Sequence, residues 1–202
     1  MASFVLKAGA LLALFAPAVA APAAAALAAP QQTILVDAES SELDYKNNNL
    51  IFHKVRIAQG SMSVSADLAQ ATGLNFDNSH WVFRGNVKIF MEQGQLSSEE
   101  AQVTFAKKLL AKALVKGNPA SFSQRLPKSG KLAQGRADSI DYDVTTGVVR
   151  FSKNAWLSDG QNEIRGDSLK YNMLAQNIVA EASEQGSQRV HIIITPPAKP
   201  KP

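Results

Sequence analysis

A short segment recurs four times along this chain, and a recurrence of that kind restricts the fold more than any single motif. The four copies are Ile51-Phe52-His53-Lys54-Val55-Arg56-Ile57, Phe83-Arg84-Gly85-Asn86-Val87-Lys88-Ile89, Val115-Lys116-Gly117-Asn118-Pro119-Ala120-Ser121 and Phe151-Ser152-Lys153-Asn154-Ala155-Trp156-Leu157. Their starts lie 32, 32 and 36 residues apart. Each is followed by a small residue, an acid and then alternating apolar residues: Ala66-Asp67 with Ala69 and Ala71, Ser98-Glu99 with Ala101 and Val103, Ala137-Asp138 with Ile140 and Tyr142, Gly166-Asp167 with Leu169 and Tyr171. Pro119 makes the third copy the most divergent. A proline cannot donate to a sheet ladder, so an edge position or a bulge is expected there.

Within the copies the apolar period is two. Trp81, Phe83, Val87, Ile89 and Met91 occupy odd positions, while Arg84, Asn86, Lys88 and Glu92 occupy even ones. Such alternation gives a strand one dry face and one wet face. It places Ile34 with Val36, then Ile51, Val55 and Ile57, then Met62 and Val64, on one side of their strands. Val103, Phe105, Ile140, Tyr142, Phe151, Leu169 and Tyr171 join the same apolar face. Turn residues separate the runs at Lys46-Asn47-Asn48-Asn49, Gln59-Gly60, Asn75-Phe76-Asp77-Asn78, Gln93-Gly94, Thr145-Thr146-Gly147 and Ser158-Asp159-Gly160. Short strands at this spacing predict an all-β, antiparallel fold. Only Glu99 to Lys116 is rich enough in Ala, Lys, Leu and Glu to compete as a helix, and Ala101, Val103 and Phe105 keep the period of two even there. A unit with one apolar face cannot bury it alone, so the units are expected to stack on a shared interior and to leave unpaired strands at the two ends.

Outside the repeats, Met1 and Lys7 precede an apolar stretch from Ala8 to Ala20 that ends Ala18-Val19-Ala20, the pattern of a secretory signal with an A-x-A cleavage site. The expected organisation is a signal over 1–20, an Ala/Pro-rich lead-in over 21–31, a β-domain over 32–196 and a Pro/Lys tail over 197–202. Removal of 1–20 takes Lys7 from the 21 basic residues and leaves 20 against 17 acidic ones, a net charge of +3. That excess is mild and scattered, without the basic stripe and interleaved aromatics of a nucleic-acid binder. The chain contains no cysteine, which excludes both disulfides and lipid attachment through a thiol.

Catalytic signatures are missing from the sequence. His53, His80 and His191 lie in separate segments without partners at metal-ligand spacing, and are read as surface or strand-end residues. Asp138-Ser139-Ile140-Asp141-Tyr142-Asp143 has the look of a calcium-loop fragment, but its carboxylates alternate with apolar residues as the polar face of a strand does. The acid that recurs at Asp67, Glu99, Asp138 and Asp167 is read as structural, bonding a neighbouring turn, because a catalytic group has no reason to appear once per unit. The apolar stripe by itself is compatible with a sealed core or with a lipid groove.

The pattern Phe-Arg-Gly-Asn-Val-Lys-Ile, a glycine turn and then small-acid-x-apolar-x-apolar resembles the periplasmic LptA/OstA family of lipopolysaccharide export. The resemblance runs from about Ile34 to Pro196. It is clearest from Gly117-Asn118-Pro119 through Gly135-Arg136-Ala137-Asp138-Ser139-Ile140-Asp141-Tyr142 to Ile164-Arg165-Gly166-Asp167-Ser168-Leu169-Lys170-Tyr171, with Ile34-Leu35-Val36-Asp37 and Leu43-Asp44-Tyr45 also fitting. His53-Lys54 stands in place of Gly-Asn, and Lys153 in place of Gly. The resemblance implies an open, twisted, taco-like β-jelly roll that shields lipid A acyl chains inside and leaves sugars and phosphates outside. It implies a location in the periplasm, no enzymatic activity and no cofactor. The partners it implies are lipopolysaccharide, an OstA-like protein associated with an inner-membrane ABC transporter, the periplasmic domain of an outer-membrane assembly barrel, and further copies of the chain joined head to tail. The alternatives are a structural β-repeat scaffold with a sealed core, a periplasmic glycan-acting enzyme, and a sister component carrying the same unit. Far-ultraviolet circular dichroism of the chain from Gln31 onward is expected to give a β spectrum; a double minimum typical of helix would contradict the repeat reading.

Overall fold

The computed structural model describes residues 33–44, 46–72, 76, 78–92, 94–126, 129–181 and 189–196. The expected signal, lead-in and tail lie outside the described residues. Twelve strands and no helix are present among the described residues. They are β1 (Ile34–Asp37), β2 (Ser40–Asp44), β3 (Asn49–Gln59), β4 (Met62–Thr72), β5 (Asn78–Met91), β6 (Gly94–Ala106), β7 (Leu109–Arg125), β8 (Leu132–Asp143), β9 (Val148–Ser158), β10 (Glu163–Asn172), β11 (Asn177–Glu181) and β12 (His191–Ile193). The stretch that competed as a helix is β6 and the start of β7, joined by a tight turn at Lys107 and Lys108.

From β3 to β11 each strand pairs antiparallel with the next in sequence, as consecutive hairpins do. The ends are split. β1 pairs one part of β3 through Asp37↔Arg56, and β2 pairs the other part through Ser40↔His53. At the far end β11 pairs one part of β10 through Leu169↔Ala180, and β12 pairs the other through Ile164↔Ile192. The sheet does not close on itself.

The split has a physical cause, because the pairing register slips in the middle of nearly every long strand. Shifts fall between Ser65 and Leu68, Arg84 and Val87, Ser97 and Glu100, Lys116 and Ala120, Arg136 and Ser139, and Gly166 and Ser168. A β-bulge bends its strand and sharpens the local twist. Bulges aligned from strand to strand form a crease, which divides one sheet into two layers sharing one interior. The first layer holds β2, β11 and the arms carrying 49–53 and 168–172; the second holds β1, β12 and the arms carrying 55–59 and 163–166. Pro119 lies in this crease, in a central strand, so the bulge rather than the edge accounts for it.

The crease also corrects one assignment made from alternation. Leu50 and Phe52 face the interior before the left-handed bend at Lys54 and Val55 and Ile57 after it, so the inward set changes from even to odd positions. Ile51 therefore lies on the opposite face from Val55 and Ile57, beside Gln70. The same slip carries the buried set from Ala66 to Ala69 on β4, from Ala137 to Ile140 on β8, and from Gly166 to Leu169 on β10. Each time it occurs at the acid of the small-acid pair.

Contacts across the interior hold the layers together. The Phe122 ring, from the second layer, meets Phe151 and Tyr171 of the first edge-on, at centroid distances of 5.7 and 6.1 Å. Gly135 makes this approach possible, since a Cβ there would stand 2.6 Å from Phe151 Cε1 and 2.7 Å from Leu157 Cδ2. Gly135→Ala is accordingly expected to lower stability by about 1–3 kcal/mol through overpacking, measured by urea denaturation; an unchanged midpoint would show that the layers can separate at no cost.

Candidate functional site

Built from the residues upward, the site begins at the crease. Gly85 and Asn86 adopt left-handed backbone conformations, with φ of 74° and 47°. A Cβ at Gly85 would lie 2.7 Å from Asp67 Oδ2, and Asn86 Nδ2 donates to that same oxygen at 2.6 Å. Glycine is there to admit the carboxylate, and asparagine to bind it. From the other side Lys54, at φ 51°, donates through Nζ to Asp67 Oδ1 at 2.6 Å. One acid thus ties together the bends of β3, β4 and β5. Asp138 repeats the arrangement with Asn154 Nδ2 at 3.0 and 3.2 Å. Lys54 and Lys153 take left-handed conformations at the two departures from the Gly-Asn pattern, so the bends persist without the glycine.

Inside the crease the chain is apolar. Val55, Ile57, Val64, Trp81, Phe83, Val87, Ile89, Met91, Val103, Phe105, Ile140, Tyr142, Phe151, Leu169 and Tyr171 are buried in one cluster, against which Ile34, Val36 and Met62 pack partly exposed. Alternation around a slipping register hid other members, among them Leu50, Phe52, Leu96, Val115, Phe122, Val149 and Leu157. Two aromatic groups occupy the interior. In the first, Phe76 stacks on Trp81 at 5.2 Å and meets Phe105 edge-on at 5.0 Å, while Phe52 stacks on the same indole at 5.7 Å. The second is Phe122 with Phe151 and Tyr171.

Polar bonds from Gln59 and from Tyr171 cross between the layers, and neither was legible in the repeat pattern. Gln59 Nε2 donates to the Lys108 carbonyl at 2.7 Å, at the ends of the β3–β4 and β6–β7 hairpins. Tyr171 Oη donates to Gln124 Oε1 at 2.9 Å, with both residues buried. Burial holds the Tyr171 and Tyr142 hydroxyls above the ordinary tyrosine range, so both stay protonated donors.

Beyond Tyr171 the interior opens into a cavity of about 400 Å³. Leu126, Ala133, Leu157, Ile164 and Ile192 line it from the second layer, and Tyr171, Gln176 and Ile178 from the first. Ser158, Asp159, Asn162 and Glu163 bring polar groups to it. The backbone N–H groups of Asn162 and Gln161 hold the Asp159 carboxyl below its usual range, and the Trp156 Nε1–H and Arg165 bonds do the same for Glu163. Those carboxylates stay charged and bonded beside the apolar wall of the cavity. His53, His80 and His191 are all exposed, as a surface reading requires, and the described residues contain no cluster of His, Cys, Asp and Glu fit to hold a metal.

With this architecture in place, comparison with known proteins is decisive. A family described as LptA/(LptD N-terminal domain) LPS transport protein matches residues 68–177, more than half of the chain. The chain belongs to this family of lipopolysaccharide transport proteins. The matched stretch runs from within β4 to the start of β11, so the crease from β5 to β10, the Asn154–Asp138 bonds and both cross-layer aromatic contacts with Phe122 fall inside it. Among relatives of this family member is the lipopolysaccharide export system protein LptA of Escherichia coli K12, 24% identical over 176 residues, covering 87% of this chain and 77% of that protein. The LptA of Haemophilus influenzae is 29% identical over 80 residues, 40% of this chain and 45% of its own. The crystal structure of Pseudomonas aeruginosa LptH, described as the LptA-homologous periplasmic component of the lipopolysaccharide transport device, superimposes with a TM-score of 0.52 at 21% identity. It covers 82% of this chain and 96% of LptH, and bears on the fold.

Asp67 supplies a test of the crease that is independent of any ligand. The bond from Lys54 first, and that from Asn86 next, hold its carboxyl below the ordinary value of 3.8. A depressed folded value contributes stability that is present above the unfolded value and is lost as pH falls through the folded one. Asp67→Asn is expected to be less stable than the parent at neutral pH, modestly because the group is exposed. The gap in denaturation midpoint is expected to narrow below about pH 4. A gap independent of pH would mean that the charge plays no part.

Proposed function

We propose that this protein binds lipopolysaccharide with the lipid A acyl chains between its two layers, and that it bridges inner- and outer-membrane components as the lipid crosses the periplasm. The observation that carries the reading is the folded sheet itself: two layers enclose a continuous apolar interior that opens at the C-terminal end into an apolar-walled cavity with polar groups beside it. An amphiphile fits such a place, with its chains inside and its sugars and phosphates in water. Burial of an acyl chain favours binding by roughly 0.8 kcal/mol per methylene, so close shape complementarity is not needed. The names of the relatives, export-system proteins and a periplasmic component of the transport device, support the same location and cargo. A second reading, a scaffold with a sealed core, draws on the close packing of the interior, where Trp81, Phe83 and Phe151 have no exposed surface. Mass spectrometry of lipid that co-purifies with the protein separates the two.

The edges support a bridge. β1 and β12 are the two end strands of the same layer, and among the described residues each pairs on one side only. Ile192, Ile193 and Ile194 are all more than half exposed around β12, as is Leu35 on β1. Exposed apolar side chains on an unpaired strand mark a surface for pairing with another chain. Head-to-tail joining of 33–37 to 190–195 would continue both the layer and the interior into the next copy. It would equally suit an OstA-like partner at the inner membrane and the periplasmic domain of an outer-membrane barrel. Because such a joint is heterologous, it extends without closing.

Two outcomes test this. A photoreactive residue at Phe83 or Val87, both interior, is expected to crosslink lipopolysaccharide more than one at the outward Arg84 or Lys88; equal yields would exclude an interior site. Truncation after Arg189 is expected to weaken self-association in light scattering across a concentration series. Unchanged association of the folded, truncated protein would rule out β12 as the joint.

A further inference from the structure

We infer that Tyr171 is a partition between the C-terminal cavity and the rest of the interior, and that its bond to Gln124 is the clasp an acyl chain must open to pass along the fold. The inference rests on the reading of the interior as a lipid site and specifies where that site is controlled. Tyr171 lines the cavity on one side and meets Phe122 on the other, at 6.1 Å between ring centroids. Its ring thus stands where open space ends and close packing begins. Its hydroxyl reaches across from the first layer to Gln124 of the second, at 2.9 Å, with Gln124 only 1% exposed.

Chemistry makes this bond a discriminating one. Most of the buried interior is hydrocarbon, against which an acyl chain exchanges one apolar contact for another with little net change. A tyrosine hydroxyl and a carboxamide are different, because a chain inserted between them offers neither donor nor acceptor and water is excluded there. The clasp thus resists chain entry while the surrounding aliphatics do not. The two partners are 47 residues apart in sequence and lie on different layers, so opening the clasp separates the layers at that point.

The test uses the purified chain with lipopolysaccharide and a benzophenone side chain at either Leu157, on the cavity wall, or Phe83, beyond the partition. The readout is the ratio of crosslink yield at Phe83 to that at Leu157. Tyr171→Phe keeps the ring and removes the hydroxyl. The double variant Tyr171→Phe with Gln124→Leu removes both polar groups, so neither is left buried without the other, and it keeps the folded state available for measurement. Both are expected to raise the ratio several-fold, with thermal unfolding of the double variant close to that of the parent. An unchanged ratio in the folded double variant, with strong crosslinking at Leu157, would overturn the partition alone. Absence of crosslinking at both positions in the otherwise unaltered chain would overturn the lipid reading and the partition together.

Discussion

Side chains on a strand alternate, so a strand that bends across its middle keeps one apolar face turned inward only by slipping its register at the bend. Every other feature of this protein depends on how that slip is made. Left-handed residues at Lys54, Gly85-Asn86 and Lys153-Asn154 let β3, β5 and β9 turn, while a small residue followed by an acid stands at the turn of β4, β8 and β10. Asp67 and Asp138 fasten the two kinds of bend to each other by hydrogen bonds from asparagine. Left-handed backbone costs an ordinary L-residue about 1–2 kcal/mol, and asparagine tolerates it better while supplying the donor that the acid needs. The crease is therefore a line of local concessions, offset at Asp67 and Asp138 by bonds to the neighbouring strands.

Folding the sheet along that line creates an interior that belongs to neither layer alone. Aromatic and aliphatic packing fills most of it, with Gly135 leaving just enough room for Phe151 to cross. Dispersion and hydrophobic burial hold the layers together without directional demands, and a surface of that kind can exchange protein contacts for lipid contacts. Directional bonds between layers are a different matter, and Gln59 to Lys108 and Tyr171 to Gln124 provide them. Under the proposed function, strong burial of acyl chains would mean that release needs work from outside, since hydrophobic affinity has no preferred direction of travel.

An open sheet has ends, and here both ends of both layers are exposed as edges. A closed barrel would have removed them and left an isolated container. By stopping short of closure, the fold keeps unpaired backbone groups at β1 and β12 and an opening beside the latter. The property that makes an isolated edge an aggregation hazard makes a series of such units extensible.

Strand identity, the apolar alternation from Trp81 to Met91, the stacking of units and the structural role of the recurring acid at Asp67 and Asp138 were legible in the sequence, because each follows from local periodicity and turn chemistry. The family resemblance was legible too, as the order of the same short motifs. Ile51 was assigned to the wrong face because alternation carries no mark of where a strand will bend, and the inward face changes phase at the left-handed Lys54 while the pairing with β4 keeps its register. Phe122 and Gln124 escaped notice because they follow the crease in β7, where the inward positions change from odd to even. The cavity at the C-terminal end and the Tyr171–Gln124 bond exist only once the layers have folded together. By itself the sequence determined which residues form strands and which turn, since a strand's period of two and a turn's backbone demands act over a few neighbours. Tertiary structure alone decided which apolar residues enclose the interior and where it opens, because those depend on register between strands and on contacts between residues far apart in the chain.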